Sequence, residues 1–191
     1  RRDCRRPWPS IWRSWPTFPR PIWSGNGTSG FGGWASSKGA ELFGGPLLTE
    51  FSRSLTRAKV QQYQRYLSDA DRILILLHND PDPDAMASGL ALRNLLRRTK
   101  ATAIIGAVQG VTRPENLRMA NMLDIHVESV TPDMFNHFER LAMVDVQPHY
   151  FGGLIERVDL VIDHHPEQPG YSAVFKDIRP EYGSTSTILT E

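Results

Sequence analysis

Apolar residues are unevenly distributed along the 191-residue chain. Through residue 46 they follow neither a helical nor an alternating period. Prolines at 7, 9, 16, 19 and 21 break helices and most strands. A Gly/Ser run from Ser24 to Gly45 reads as flexible linker. From Phe51 the pattern becomes regular. Leu55, Lys59, Gln62, Tyr63, Tyr66 and Leu67 predict an amphipathic helix over 54–68. Arg72–Leu77 is a continuous, β-branched-rich apolar run, as expected of a strand buried on both faces. Further strands are predicted at 101–108, 125–128, 141–146 and 158–163, with an edge strand at 171–175. Helices are predicted at 85–98, 113–123, 131–138 and 184–191, the third with Thr131 as N-cap and Pro132 at its first position. Strands and helices alternate, so the fold class is α/β: a mostly parallel sheet flanked by helices on both faces.

Composition divides the chain at the same place. The formal net charge of +1 averages two unlike parts. Residues 1–50 carry seven basic against three acidic residues, or +4. Residues 51–191 carry fifteen against eighteen, or −3. All five Trp and Cys4, the single cysteine, lie within the first 34 residues. The expected organisation is a disordered Arg/Trp/Pro/Gly-rich leader, 1–50, and a mildly acidic body, 51–191. Such a leader can contact membrane headgroups or nucleic acid, or be an inert tail. One cysteine excludes an internal disulfide and a multi-thiolate zinc site. No transmembrane segment or signal peptide is visible, which sets a cytoplasmic expectation.

In parallel sheets functional groups gather at the carboxyl ends of strands, and there this chain places its Asp and His residues. His78, Asp82 and Asp84 follow the first strand, in a loop stiffened by Pro81 and Pro83. Asp145 ends a second strand, and Asp163, His164 and His165 end a third. Carboxylates gathered in a cleft repel one another unless cations join them. Mixed imidazole and carboxylate donors with an oxygen-rich balance favour manganese, then magnesium. Two bridged ions would activate water and stabilise a phosphoryl transition state.

His78-Asn-Asp-Pro-Asp-Pro-Asp-Ala-Met-Ala-Ser88, Val144-Asp145 and Asp163-His-His-Pro166 resemble the first three motifs of the DHH family of phosphoesterases. That family includes RecJ-type exonucleases, manganese-dependent pyrophosphatases, and NrnA-type oligoribonucleases that also cleave 3′-phosphoadenosine 5′-phosphate (PAP). Residues 114–124, 144–148 and 182–191 are most similar to the NrnA type. The resemblance implies two divalent ions, Mn2+ or Mg2+. His78 and Asp82 would hold one and Asp84 and His164 the other, with Asp145 bridging. It places His165 near the phosphate and gives Asp163 the task of orienting the histidines. Ser88, Ser184 and Thr185 are at helix starts, where hydroxyls and free N–H groups either hold phosphate or cap the helix.

The implied reaction is hydrolysis of short oligoribonucleotides (nanoRNA), of PAP, or of both. Alternatives are cyclic dinucleotides, a RecJ-like action on single strands, or a non-catalytic nucleotide-binding regulator. Stable long-duplex binding is not expected of an acidic body, and a homodimer is compatible with the pattern. By the family pattern the chain stops at Glu191, inside a helix. The fourth motif and the substrate-clamping DHHA1 domain would then be absent, so the expected domain is incomplete at its C-terminus and turns over little.

Overall fold

The computed structural model describes residues 46–191, with side chains described from Ser54 onward. The expected leader therefore lies outside the described residues, except for 46–50. These residues already belong to helix α1, Pro46–Ser68, which begins eight residues before the expected 54. The rest alternates as β1 (Ile73–Leu76), α2 (Pro83–Leu95), β2 (Ala103–Ala107), α3 (Pro114–Met122), β3 (Val127–Ser129), β4 (Arg140–Val144), β5 (Arg157–Asp163), β6 (Ser172–Ile178) and α4 (Thr185–Thr190). Two 3-10 helices, Pro132–His137 and Pro148–Phe151, follow β3 and β4. No helix among the described residues is long and apolar enough to cross a membrane.

The six strands form one all-parallel sheet in the order β3-β2-β1-β4-β5-β6. β1 is central and fully buried, which explains its unbroken Ile-Leu-Ile-Leu run. Alternate residues nevertheless enter different cores. Ile73, Ile75 and Leu77 pack with Tyr63, Leu67, Met86, Leu92 and Ile188 beneath the α-helices. Leu74 and Leu76 pack with Met143, Val146, Phe151 and Val161 on the other face. Helices cover both faces as expected, but those on the second face are the 3-10 segments rather than α-helices. The expected helix at 131–138 is one of these, and Thr131 occupies its N-cap position without a side-chain cap bond. Gly106 in β2 is required by crowding. A Cβ there would lie 2.9 Å from Val130 Cγ1 and 3.0 Å from Leu74 Cδ1.

α1 is fastened across the sheet by its polar side chains. The Tyr66 hydroxyl donates to Asp159 Oδ1 at 2.8 Å, and Asp159 Oδ2 accepts from Leu141 N at 2.8 Å. Tyr63 and Tyr66 both meet Phe175 of β6 edge-on.

The strand order determines where a site can form. From β1 the chain proceeds through β2 and β3 toward one edge, then returns to place β4 on the other side of β1. The connections leaving the carboxyl ends of β1 and β4 therefore diverge. Between them lies the crevice in which open parallel sheets bind ligands.

Candidate metal centre

The loop leaving β1 is built around its prolines and aspartates. Asp82 is the N-cap of α2, accepting from Ala85 N through Oδ1 at 3.0 Å, with Pro83 at the first helical position. Asp80, φ 48°, ties the loop to the neighbouring connection. Its Oδ1 accepts from Thr112 N at 2.8 Å and Arg113 N at 3.2 Å, and its Oδ2 receives Arg113 Nε at 2.9 Å. The Thr112 amide, with Arg113, holds the Asp80 carboxyl below its usual range. The side chain of buried Asn116 donates to Pro81 O at 3.0 Å. This loop is thus set by two adjoining segments as well as by its prolines.

Asp145 follows β4 with φ 60°, in the left-handed region that Asp and Asn tolerate better than most residues. The strained turn leaves its N–H on Ile162 O of β5 at 3.1 Å. Its carboxylate is buried, 4% exposed, between two imidazoles. His78 Nε2 lies 3.9 Å from Oδ2, and His164 Nε2 lies 3.5 Å from Oδ1. Burial pushes the Asp145 carboxyl up to about 6, reinforced by the charges of Asp84 and Asp82. The Thr185 hydroxyl, donating at 2.8 Å, opposes this, as does His165.

Asp82 and Asp84 flank the centre. Asp82 Oδ1 is 3.8 Å from His78 Nε2, and the attraction of that ring holds Asp82 down at about 2. Burial acts to lower the His78 value, but its contacts with Asp82, Asn79 O and Asp145 together raise it. Asp84 Oδ2 is 4.0 Å from His164 Nε2. Its two oxygens also accept from Thr185 N at 2.9 Å and Ser186 N at 3.0 Å, so the start of α4 rests on it.

These separations bear on metal fit. At 3.5–4.0 Å the donor atoms are too far apart to hydrogen-bond. They are near the spacing of neighbouring donors on one cation: bonds of about 2.1 Å place adjacent ligands roughly 3.0–3.4 Å apart. Two groups, His78/Asp82/Asp145 and Asp145/His164/His165, each have donor atoms within 4.8 Å of one another and share Asp145. The donor set fits divalent cations of the manganese or magnesium type.

A cleft of about 610 Å³ opens over this cluster. Its walls include His78, Asp82, Asp84, Asp145, Asp163, His164, His165 and Ser184, so eight of the ten residues predicted from sequence meet in one place. Ser88 and Thr185 do not reach it. Ser88 is fully buried within α2 and its hydroxyl has no partner. Thr185 is also fully buried, its hydroxyl engaged by Asp145 and by His164 N at 3.2 Å. That hydroxyl is directed at the Asp145 carboxylate rather than into the cleft. Ser184 stays on the wall, and its hydroxyl accepts from Thr187 N as the N-cap of α4.

Asp163 is almost completely buried beneath His165. Its Oδ1 accepts from His165 Nδ1 at 2.8 Å and His165 N at 3.1 Å. The His165 ring is 57% exposed at the cleft rim. Gln147, His149, Tyr150 and Gln168 also form walls and were not singled out in the sequence. Only Gln147 carried a signal, its place two residues beyond Asp145. Among the described residues no lysine or arginine lines the cleft.

Comparison with known proteins follows this geometry. A family model described as DHH family, N-terminal domain, matches residues 72–191. An uncharacterized protein of Methanocaldococcus jannaschii is 33% identical over 120 residues, covering 62% of this chain and 25% of that protein. The cyclic-di-AMP phosphodiesterase PdeA of Listeria monocytogenes is 25% identical over 167 residues, covering 78% of this chain and 25% of PdeA. The chain thus spans about a quarter of the length of these relatives. Among solved structures, an exopolyphosphatase-related protein from Bacteroides fragilis superposes with a TM-score of 0.50 at 16% identity. That match covers 70% of this chain and 42% of the other, and it speaks to the fold.

Proposed function

The chain belongs to the DHH family, and from that premise we propose that the cleft is the reaction centre of a metal-dependent phosphoesterase acting on short nucleotides. The observation that carries this reading is the buried Asp145 carboxylate, placed between His78 and His164 and shared by two donor groups. In the proposed assignment His78, Asp82 and Asp145 hold one cation, and Asp84, His164 and Asp145 the second. Divalent cations there supply what the cleft lacks: relief of carboxylate repulsion, a water of lowered pKa, and positive charge for phosphoryl oxygens. Asp145 is the joint between the two places, and Thr185 keeps its Oδ1 aimed by a hydrogen bond. Asp84 couples its place to α4 through two backbone amides. His165 has its Nδ1 committed to Asp163, which leaves Nε2 as the ring nitrogen free for a phosphate oxygen or a leaving group.

A cleft of about 610 Å³ is of the size that takes one small ligand. Among the described residues it carries no cationic lining that would track a long backbone, which favours short substrates over RecJ-like action. A short oligoribonucleotide or PAP is the leading substrate class. A cyclic dinucleotide is the second reading, favoured by the similarity to PdeA.

The test is to incubate the full natural chain with manganese and, in parallel, a linear diribonucleotide, PAP and cyclic-di-AMP, resolving products by chromatography. Hydrolysis that disappears in Asp145→Asn supports the reading, and the preferred substrate selects between its two forms. Nucleotide binding without turnover would indicate a regulator, and turnover unaffected by Asp145→Asn would overturn the mechanism.

A further inference from the structure

Gln147 is 1% exposed and lines the cleft wall, and its side-chain hydrogen bonds go to residues outside the proposed metal donors. Its amide nitrogen donates to Asp163 Oδ2 at 2.7 Å, Pro166 O at 3.2 Å and His165 O at 3.4 Å. Its Oε1 accepts from Gln168 N at 2.8 Å. One side chain just beyond β4 thus joins Asp163 at the end of β5 to residues 165, 166 and 168 of the loop that follows. Backbone groups in a cleft-side loop that lacks regular structure need such partners, because leaving them buried and unpaired is costly.

The chemical consequence passes through Asp163. A carboxylate accepts hydrogen bonds and donates none. Oδ2 is occupied by Gln147, so the carboxylate is held with Oδ1 toward His165. There Oδ1 receives the ring Nδ1 at 2.8 Å as well as the backbone N–H of the same residue. Facing a carboxylate oxygen, Nδ1 must carry the proton. We propose that Gln147 is a positioning residue. Through Asp163 it fixes His165 as the Nδ1–H tautomer, with Nε2 left to the substrate, and through Pro166 and Gln168 it holds the loop that forms that wall. The assignment rests on the phosphoesterase reading for its catalytic meaning, but the tautomer can be tested without any reaction.

The variants are Gln147→Met, which keeps length and volume and removes every hydrogen bond, and Gln147→Glu, which keeps shape and turns the donor to Asp163 into an acceptor. In metal-free protein, at a pH where the ring is neutral, nitrogen chemical shifts of His165 report which ring nitrogen is protonated. The Nδ1–H form is expected in the wild type and a mixture with Nε2–H in both variants. In the full natural chain kcat is expected to fall about 10–100-fold, as for loss of residues that orient a ligand or base. Manganese affinity by calorimetry is expected to be unchanged. If Gln147→Met does not fold, Gln147→Glu and a conservative Gln147→Asn, too short to reach both Asp163 and Gln168, carry the same comparison. An unchanged His165 tautomer in the variants overturns the positioning role, whether or not the wild type turns over any nucleotide. Absence of turnover in the wild type with the tautomer shift intact counts against the substrate reading and leaves the positioning role standing.

Discussion

At the scale of single residues, the chemistry converges on Asp145. Its left-handed backbone and buried carboxylate are unfavourable for the isolated protein, as is common where a binding site is built in advance. Burial holds the folded carboxyl at about 6 against an ordinary 3.8. The folded state therefore retains that proton more tightly, and metal-free stability should fall as pH rises from about 3.8 to about 6. A cation must displace the same proton, so manganese affinity should weaken as pH drops below about 6, with proton release that calorimetry in two buffers detects. Asp145→Asn keeps the tolerance for φ 60° and removes the charge. It should abolish manganese binding and stabilise the metal-free protein at pH 7 by about 3 kcal/mol, read from denaturant unfolding in chelator. Destabilisation instead would show that the carboxylate is already compensated by its neighbours.

At the scale of elements, the helix starts serve structure and chemistry together. Asp82 caps α2 and faces His78. Asp84 carries the first two amides of α4 and faces His164. The two duties can be separated at Asp82, because serine caps a helix about as well as aspartate. Asp82→Ser keeps the cap and loses the attraction to His78, so the thermal midpoint of the metal-free chain should fall only slightly while manganese affinity drops. A large loss of stability would show that the carboxylate does more than cap. At Thr185 they are harder to separate. Thr185→Val removes the hydroxyl that serves both Asp145 and His164 N, and is expected to cost about 1–3 kcal/mol by chemical denaturation.

At the scale of the whole molecule, Asp82, Asp84, Asp145 and Asp163 lie in one cleft with no lysine or arginine among its described residues. A ligand that binds the folded state and not the unfolded chain stabilises by mass action. Manganese at 100 times its Kd should therefore add about 2.7 kcal/mol and raise the melting temperature, and chelator should reverse the shift. A melting curve indifferent to manganese would place the metal elsewhere or nowhere. On the proposed reading, two divalent cations in this cleft would invert the local sign, which is how a body of formal charge −3 would handle phosphate.

Much of this was legible in the sequence because it depends on near neighbours along the chain. The unbroken apolar runs marked strands buried on both faces, and Asp or His at three of their ends marked the cleft. His78, Asp82 and Asp84 fall within seven residues of one loop, so their shared location needed only that loop to be placed. The 3-10 form of 132–137 and the earlier start of α1 depend on packing, which no local period records. Strand order does so still more, and it alone brings the ends of β1, β4 and β5 together. The contacts that complete the centre join residues far apart in sequence. Thr185 N meets Asp84 across 101 positions, and the Thr185 hydroxyl meets Asp145 across 40. Local pattern placed Thr185 at a helix start and Gln147 just beyond a strand, but their partners are decided by whichever buried groups need satisfying once the sheet has closed. The sequence by itself determined which Asp and His side chains stand at the ends of the strands. Tertiary structure decided which of them face the cleft and which hold the others in place, because burial and hydrogen-bond satisfaction exist only after distant segments have packed.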